Sequence, residues 1–513
     1  METWFILVIS LCVAALIRAL LLYRSDGKKL PPGPSFLSTV FLLLTTPLPE
    51  LEPILRDFTS KYGPLFTLYK GPPTSIFVGS HSVAHQILIQ NGAVFSDRPR
   101  SIPGTTISFA SYGPTWRILR RNLTSEVLHH SRVKSYSGAR KWVLGILIGR
   151  FQNQEAAGIK VDDHFLYAMF SLMVIMCFGE KLDKHRINEI ARVQRTMLLR
   201  IGTGRFNVLS VFPKLGKILF RNRVNELLHL RNDQEQVLMP IIKSRIESAN
   251  FATESVPEER ILAYVDTLIN LQLPEEEANN GNGGKFTHKE MLTLCSEFLN
   301  GGTETTSTSL QWIMANLVKH PDIESKLYDE IVSVVGNPPP PPPPGIEPES
   351  VINEEDLKKM RYLKAVVLEG LRRHPPGHLV LPHRATKEVE VEGFTIPEGS
   401  LVNFLVAEIG LDPKVWEDPM EFKPERFMEN GDFDLTGSKG IKMIPFGAGR
   451  RICPGSDLAL LHLEYFVANL IWYFHWSPPD GYHVDLSEKA EFTIVMKNPL
   501  QAQISLRTDK MTT

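Results

Sequence analysis

The sequence predicts a mainly α-helical body with a small β portion, preceded by one N-terminal transmembrane helix. Three observations carry that expectation. Helical periodicity runs through most of the stretch from about residue 115 to about residue 375. Strand-like runs are confined to two patches, Leu65–Tyr69 with Ser75–Val78, and about Lys387 to Val406. The chain opens on a single long apolar run, Thr3 to Tyr23.

That run reads TWFILVISLCVAALIRALLLY and spans roughly 30 Å as a helix, the thickness of a bilayer core. Its one charge, Arg18, lies near the C-terminal end, where it can snorkel to the interface. Glu2 precedes the run, whereas Arg24, Lys28 and Lys29 follow it, so the positive-inside rule puts the remainder in the cytosol. A cleaved signal peptide carries its positive charge before the apolar run, so this one is expected to be a retained signal-anchor. Residues 1–30 therefore form the transmembrane helix and its basic flank, and Pro31-Pro32-Gly33-Pro34 forms a hinge to the body.

Composition narrows what the body does. The 513 residues carry a formal net charge of −1, with 43% hydrophobic and 22% charged residues. A disordered chain would be poorer in apolar residues, and a dedicated nucleic-acid binder would carry a positive field; neither fits. The four cysteines, Cys12, Cys177, Cys295 and Cys453, are far apart and form no CxxC pair, which argues against a zinc finger or a disulfide scaffold. Pro274 to Gly284 is a polar Gly/Asn-rich linker. Its Gly284-Lys285 is followed by Phe286 where a phosphate loop needs Ser or Thr. Pro338 to Pro344 is an unbroken proline run, a stiff polyproline II spacer that reads as a loop expansion.

After the linker, Thr287 and Glu290 form a capping-box signature for a helix continuing to about Val318. Its centre reads Asn300-Gly301-Gly302-Thr303-Glu304-Thr305-Thr306. Each glycine weakens a helix by about 1 kcal/mol, and the hydroxyls compete for backbone carbonyls. Two explanations stand side by side: a local opening where a ligand approaches and Glu304 and Thr305 face a cavity, or a packing notch under a crossing helix.

Residues 444–455 read IPFGAGRRICPG. Glycines at 447, 449 and 455 let the main chain turn tightly around Cys453, with N–H groups and Arg450 and Arg451 close enough to favour a thiolate. A helix starting after Pro454 would bring its positive end to the same sulfur. A plain structural cysteine sits in an apolar run, as Cys177 does in MVIMCF.

Phe446, Gly449, Arg451, Cys453 and Gly455 fill every fixed place of F-x-x-G-x-R-x-C-x-G, and the segment resembles the haem-binding loop of the cytochrome P450 monooxygenases. Other marks of that family follow in order. Trp116 and Arg120 match W-x-x-x-R. Gly301 to Thr306 match [AG]-G-x-[DE]-T-[TS]. Glu369 and Arg372 match E-x-x-R, and Arg426 lies in a P-E-R-F segment. The resemblance covers about residues 31 to 510 and implies one large, mostly helical haem domain over 31–513. The anchor, the proline hinge and stretches such as FSDRPR (Phe95–Arg100) resemble plant microsomal members. Gly370 inside E-x-x-R and the lengthened proline loop are departures from the pattern.

The resemblance implies haem b (iron protoporphyrin IX) with Cys453 as axial ligand. It implies Trp116, Arg120, His383, Phe446 and Arg451 around the cofactor, and Thr305 and Glu304 in proton delivery. A structural ion pair joins Glu369, Arg372 and Arg426. It also implies O2, a small apolar or amphipathic substrate, an NADPH-cytochrome reductase and membrane lipid as partners, at the endoplasmic reticulum membrane with the catalytic domain cytosolic. The pocket would be lined from Ser101–Tyr112, Arg200–Phe212, Cys295–Glu304, Gly377–Leu381 and Thr493–Val495, with His378 and Thr493 as polar handles. Two other readings are a haem-thiolate isomerase or dehydratase, and a non-enzymatic haem sensor. Retention of Glu304 and Thr305 favours the monooxygenase.

Overall fold

Helices supply the frame in this computed structural model, which describes Ser10 and residues 29–507 apart from 47–49, 70–72, 100–105, 153–157, 203–219, 252–260, 274–283, 344–345 and 430–432. In chain order the helices that build the site are α1 (Leu51–Tyr62), α2 (Pro114–Asn122), α3 (Ser137–Gln152), α4 (Asp162–Phe178), α5 (Lys184–Gly202), α6 (Arg221–Phe251), α7 (His288–Lys319), α8 (Arg361–Arg373) and α9 (Ser456–Tyr473). The expected membrane anchor lies outside the described residues, as does most of the 274–284 linker. Among the described residues no helix is long and apolar enough to cross a membrane.

Helix α7 is the axis of the molecule. Its start is the expected capping box: the Thr287 hydroxyl accepts from Glu290 N, and Glu290 accepts from Thr287 N at 2.8 Å. From Met291 to Val318 it buries side chains on most of its circumference, so it runs through the core. It packs along α4, whose Phe165–Phe178 stretch is almost wholly buried, and touches α5, α6, α8 and α9. Cys177 and Cys295 lie fully buried at the α4–α7 contact as free thiols, and burial pushes the Cys177 thiol well up. The apolar cluster here takes in residues from α2 to α9 and is the main core.

Both sequence patches form strands but do not hold all of the β portion: Ile159–Lys160, Phe474–Ser477 and Gln501–Leu506 make a three-stranded sheet, and Glu488–Ala490 pairs with Ile494–Met496, none of them marked in the sequence. Strands β1 (Leu65–Leu68) and β2 (Ser75–Val78) pair as an antiparallel hairpin. The second patch folds into β3 (His383–Arg384), β4 (Val389–Val391), β5 (Phe394–Ile396) and β6 (Leu401–Phe404), and the four-stranded sheet has the order β1-β2-β6-β3. The β4–β5 turn uses Glu392 and Gly393, both at positive φ (51° and 72°). A small second core covers this sheet. The Pro31–Pro34 hinge is docked rather than free. Pro32 O accepts from Thr67 N at 2.8 Å, Lys29 O accepts from Thr395 N at 2.8 Å, and a Cβ on Gly33 would strike Thr67 O. The chain thus enters the body pinned to the sheet.

Candidate haem site

The cysteine loop is a chain of close approaches. Gly447 and Gly449 adopt φ of 69° and 71°, which L-residues rarely take, and a Cβ on Gly449 would strike Leu88 O. The turn closes with Cys453 N donating to Phe446 O at 2.9 Å, while Phe446 is half-buried. Helix α9 begins immediately after, with Gly455 as its N-cap. Gly455 N–H donates to the Cys453 sulfur, and the Arg120 guanidinium also favours the thiolate, but burial outweighs both and raises the thiol pKa. The loop N–H thus favours the thiolate as expected, but Arg450 and Arg451 do not take part. Arg450 instead reaches Tyr112 Oη at 2.8 Å and Arg451 turns to main-chain carbonyls. A thiol in such surroundings ionises fully when a metal cation replaces its proton.

Above that loop three guanidiniums converge. Arg120 Nη1 donates to Ile452 O at 2.7 Å. Arg451 donates to Ser96 O (2.8 Å), Ile107 O (3.2 Å) and Ala110 O (2.6 Å), and stacks over the Trp116 ring at 4.4 Å. Arg98 donates to Ser108, Leu381 and Pro382 carbonyls at 3.0, 2.7 and 3.0 Å. None of the three has a carboxylate bonded to it among the described residues. Burial, aided by Arg451, pushes Arg98 down to about 9, and burial pushes Arg451 down to about 10. Cations held with only neutral acceptors suit an anionic guest. Motif reasoning did not single out Arg98, although it lies in the FSDRPR stretch.

His383 behaves differently from its neighbours. It is 3% exposed, and Nδ1 bonds Phe95 O at 2.6 Å. Burial first and Arg98 second push it down to about 3, so the ring is neutral. With its one proton directed at Phe95 O, Nε2 is left as an acceptor.

On the central helix, the two glycines of α7 divide the two sequence explanations between them. A Cβ on Gly302 would strike Met173 of α4, so Gly302 is a packing notch; one on Gly301 meets nothing within 4 Å. Gly301 is exposed in the middle of a buried helix, and the Thr305 hydroxyl, one turn on, donates to Gly301 O at 2.7 Å. The helix is continuous through this stretch, so the opening is beside it rather than in it. Glu304 points the other way, into a cavity shared with Gln194, Arg195 and Thr303. Its Oε1 lies 3.5 Å from Arg195 Nε, and burial raises its pKa more than Arg195 lowers it.

The ion pair behind the site is fully buried. Glu369 and Arg372 are each 0% exposed and joined by two bonds of 2.7 and 2.8 Å. Arg426 Nε adds 3.1 Å, Lys423 N donates to the same carboxylate, and Arg372 also holds Gly410, Pro419 and Glu421 carbonyls. Gly370 between them lets α8 approach α7, since a Cβ there would strike Ile313. Of the two expected polar handles, Thr493 bonds Thr308 of α7 at 3.0 Å. His378 faces elsewhere: its Nδ1 lies 2.6 Å from Glu52 Oε2 on α1 and its Nε2 3.6 Å from Glu488. The expected pocket segments 101–105 and 203–212 lie outside the described residues.

Residues 31–506 match the family described as Cytochrome P450. The chain belongs to the cytochrome P450 family. It is 45% identical to Cytochrome P450 89A9 of Arabidopsis thaliana over 98% of each chain. It is 30% identical to Isoflavone 2'-hydroxylase of Glycyrrhiza echinata over 94% of this chain and 92% of that one. A zebrafish cytochrome P450 solved with progesterone shares the fold, with a TM-score of 0.72 at 23% identity, covering 89% of this chain and 99% of that chain. This P450 is a haem-dependent monooxygenase, and haem b is its cofactor. The donor set at Cys453 and the carboxylate-free guanidiniums beside it fit that cofactor, an iron porphyrin that carries two carboxylate side chains.

Proposed function

We propose that this P450 places one oxygen atom of O2 into a small apolar or amphipathic organic molecule, using Cys453 as the axial ligand and electrons passed from NADPH through a membrane-bound reductase. The observation that carries the site assignment is that Arg120 and Arg451, against and within the loop that holds the Cys453 sulfur, and Arg98, which shares the 106–110 loop with Arg451, bond main-chain carbonyls and no carboxylate among the described residues. Bound there, the haem supplies the oxygen activation, which an electron-rich thiolate favours. Arg98, Arg120 and Arg451 turn to its two propionates, and Trp116 holds the Arg451 plane by stacking. His383 joins them only by taking up a second proton beside a carboxylate. Phe446 shields the sulfur side.

On the opposite side the half-buried Thr305 hydroxyl is the nearest proton carrier to the opening at Gly301. Glu304, whose pKa burial raises, replenishes it from the far flank of α7. Keeping this pair supports oxygen insertion over the isomerase, dehydratase and sensor readings. Exposed Arg117, Arg121 and Arg450 offer a positive face to an acidic reductase. Residues 1–30 would anchor the 31–513 haem domain at the endoplasmic reticulum membrane, facing the cytosol.

The test is spectral and then catalytic. The reduced carbon monoxide complex should absorb at the thiolate position, and Cys453→Ala should abolish that band; a histidine-type spectrum in the wild type sinks the assignment. NADPH-dependent turnover with reductase against a plant metabolite extract, read by mass spectrometry, then identifies the substrate. Release of the full chain from membranes by high salt without detergent would refute the anchor.

A further inference from the structure

Glu297 lies on α7 one turn before Gly301 and two before Thr305, on the same face of the helix. Its carboxylate meets no cation among the described residues. Instead Oε2 accepts from Ile107 N at 2.8 Å and Oε1 from Ser108 N at 2.7 Å. We propose that Glu297 is a positioning residue that grips the loop 106–110 by its main chain and, through the Ile107–Ser108 peptide, sets the orientation of Arg451 in the cysteine loop.

The geometry makes that peptide a connecting rod. Ser108 N–H and Ile107 C=O are the two ends of one planar unit. The N–H end is held by the Glu297 carboxylate and the C=O end by Arg451 Nη1 at 3.2 Å. A negative charge at the donor end and a positive charge at the acceptor end polarise the unit in the same sense, so each bond strengthens the other. The next carbonyl, Ser108 O, takes Arg98 Nε at 3.0 Å, and Ala110 O takes Arg451 Nη2 at 2.6 Å. The loop is closed on itself by Phe109 N on Thr106 Oγ1 (3.2 Å) and Ala110 N on Thr106 O (2.9 Å). It therefore stands as a rigid turn between one carboxylate on the central helix and two guanidiniums beside the cysteine loop. Burial raises the Glu297 pKa, while the Ser108 hydroxyl and the two N–H donors lower it, as suits a carboxylate held by the loop without a cation. Movement of this pocket wall when a ligand enters is transmitted to Arg451, and loss of Glu297 loosens both.

The haem part of this inference rests on the reading that Arg451 faces the haem edge, and the experiment separates the two. Haem-loaded full-length wild type, Glu297→Gln and Glu297→Asp are compared by hydrogen exchange of the 106–112 segment, by haem transfer to apomyoglobin, and by Soret titration with 1-phenylimidazole. Gln keeps the size but sets an NH2 group against a donor N–H. Exchange over 106–112 should rise at least about ten-fold, with α2 and α7 unchanged. Haem transfer should quicken and phenylimidazole bind more weakly, while Asp, which keeps the charge, falls between. Wild-type exchange at 106–112 in the Gln variant overturns the grip. Faster exchange with a wild-type haem transfer rate overturns the link to Arg451. If the Gln variant accumulates without haem, the Asp variant decides by the same two rates. A wild-type spectrum without thiolate ligation would refute the reading of Cys453 and leave loop exchange to judge Glu297.

Discussion

Thr305 and Glu304 are adjacent in the chain but face different spaces, because successive helical residues are about 100° apart. Thr305 looks toward the opening at Gly301, and Glu304 into the cavity beside Arg195. In the proposed relay a proton handed between them passes around α7, which makes the hydroxyl the last carrier. Thr305→Val keeps the shape and removes the hydroxyl. Haem content and ligand binding should persist, while product formed per NADPH oxidised falls and hydrogen peroxide rises. An unchanged ratio with more than one substrate would take Thr305 out of the relay.

At the scale of single helices, α7 allows a paired test of its two glycines. Gly301→Ala adds a methyl group where nothing stands within 4 Å and gains helix propensity, so it should stabilise by up to about 1 kcal/mol. Gly302→Ala drives a methyl group into the terminal atoms of buried Met173, a flexible side chain that must give way, so it should lose most or all of that gain. The denaturant midpoint of Gly301→Ala should therefore lie above that of Gly302→Ala; equal midpoints would refute the division of labour. Helix α9 carries a titrating strain of its own. Burial raises Glu464 to about 7 from an ordinary 4.5, with Lys364 pulling back. A carboxyl raised on folding favours the folded state while protonated, and that contribution is lost as pH rises through about 7. Glu464→Gln should thus be more stable than wild type at pH ~8 by about 1–3 kcal/mol, with the difference vanishing below pH ~4.5. A pH-independent difference would show that Glu464 does not titrate in this range.

Over the whole molecule, the Glu369–Arg372–Arg426 network ties α8 to the irregular segment 410–426 that leads to the cysteine loop. Every oxygen and nitrogen in it that the fold buries has a partner within 3.3 Å. Removing one charge leaves the other buried and unpaired, at a cost of about 3–5 kcal/mol, a large share of a domain's stability. Glu369→Ala should express as a chain that fails to retain haem, with Glu369→Gln only partly better. Normal haem loading in the Ala variant would reduce the network to a surface-like pair.

Residue spacing left the short strands at 159–160 and 474–506 unmarked, but was enough to place the cysteine loop, the capping box of α7, the ion-pair residues and two of the strand regions. Each of these is local: fixed spacings, turn glycines and periodicity act within a few residues. It also marked the weak centre of α7, but could not choose between opening and notch, since that depends on which side chain of another helix lies across each glycine. Only the tertiary structure decided that Gly302 meets Met173 and Gly301 meets nothing, and that Glu369 and Arg372 are wholly buried. It also turned His378 toward Glu52 and left His383 neutral on Phe95 O. Arg98 and Glu297 were illegible for the same reason. Their partners are main-chain carbonyls and N–H groups, which every residue carries, so no residue pattern announces them until the fold brings loop 106–110 between the two charges.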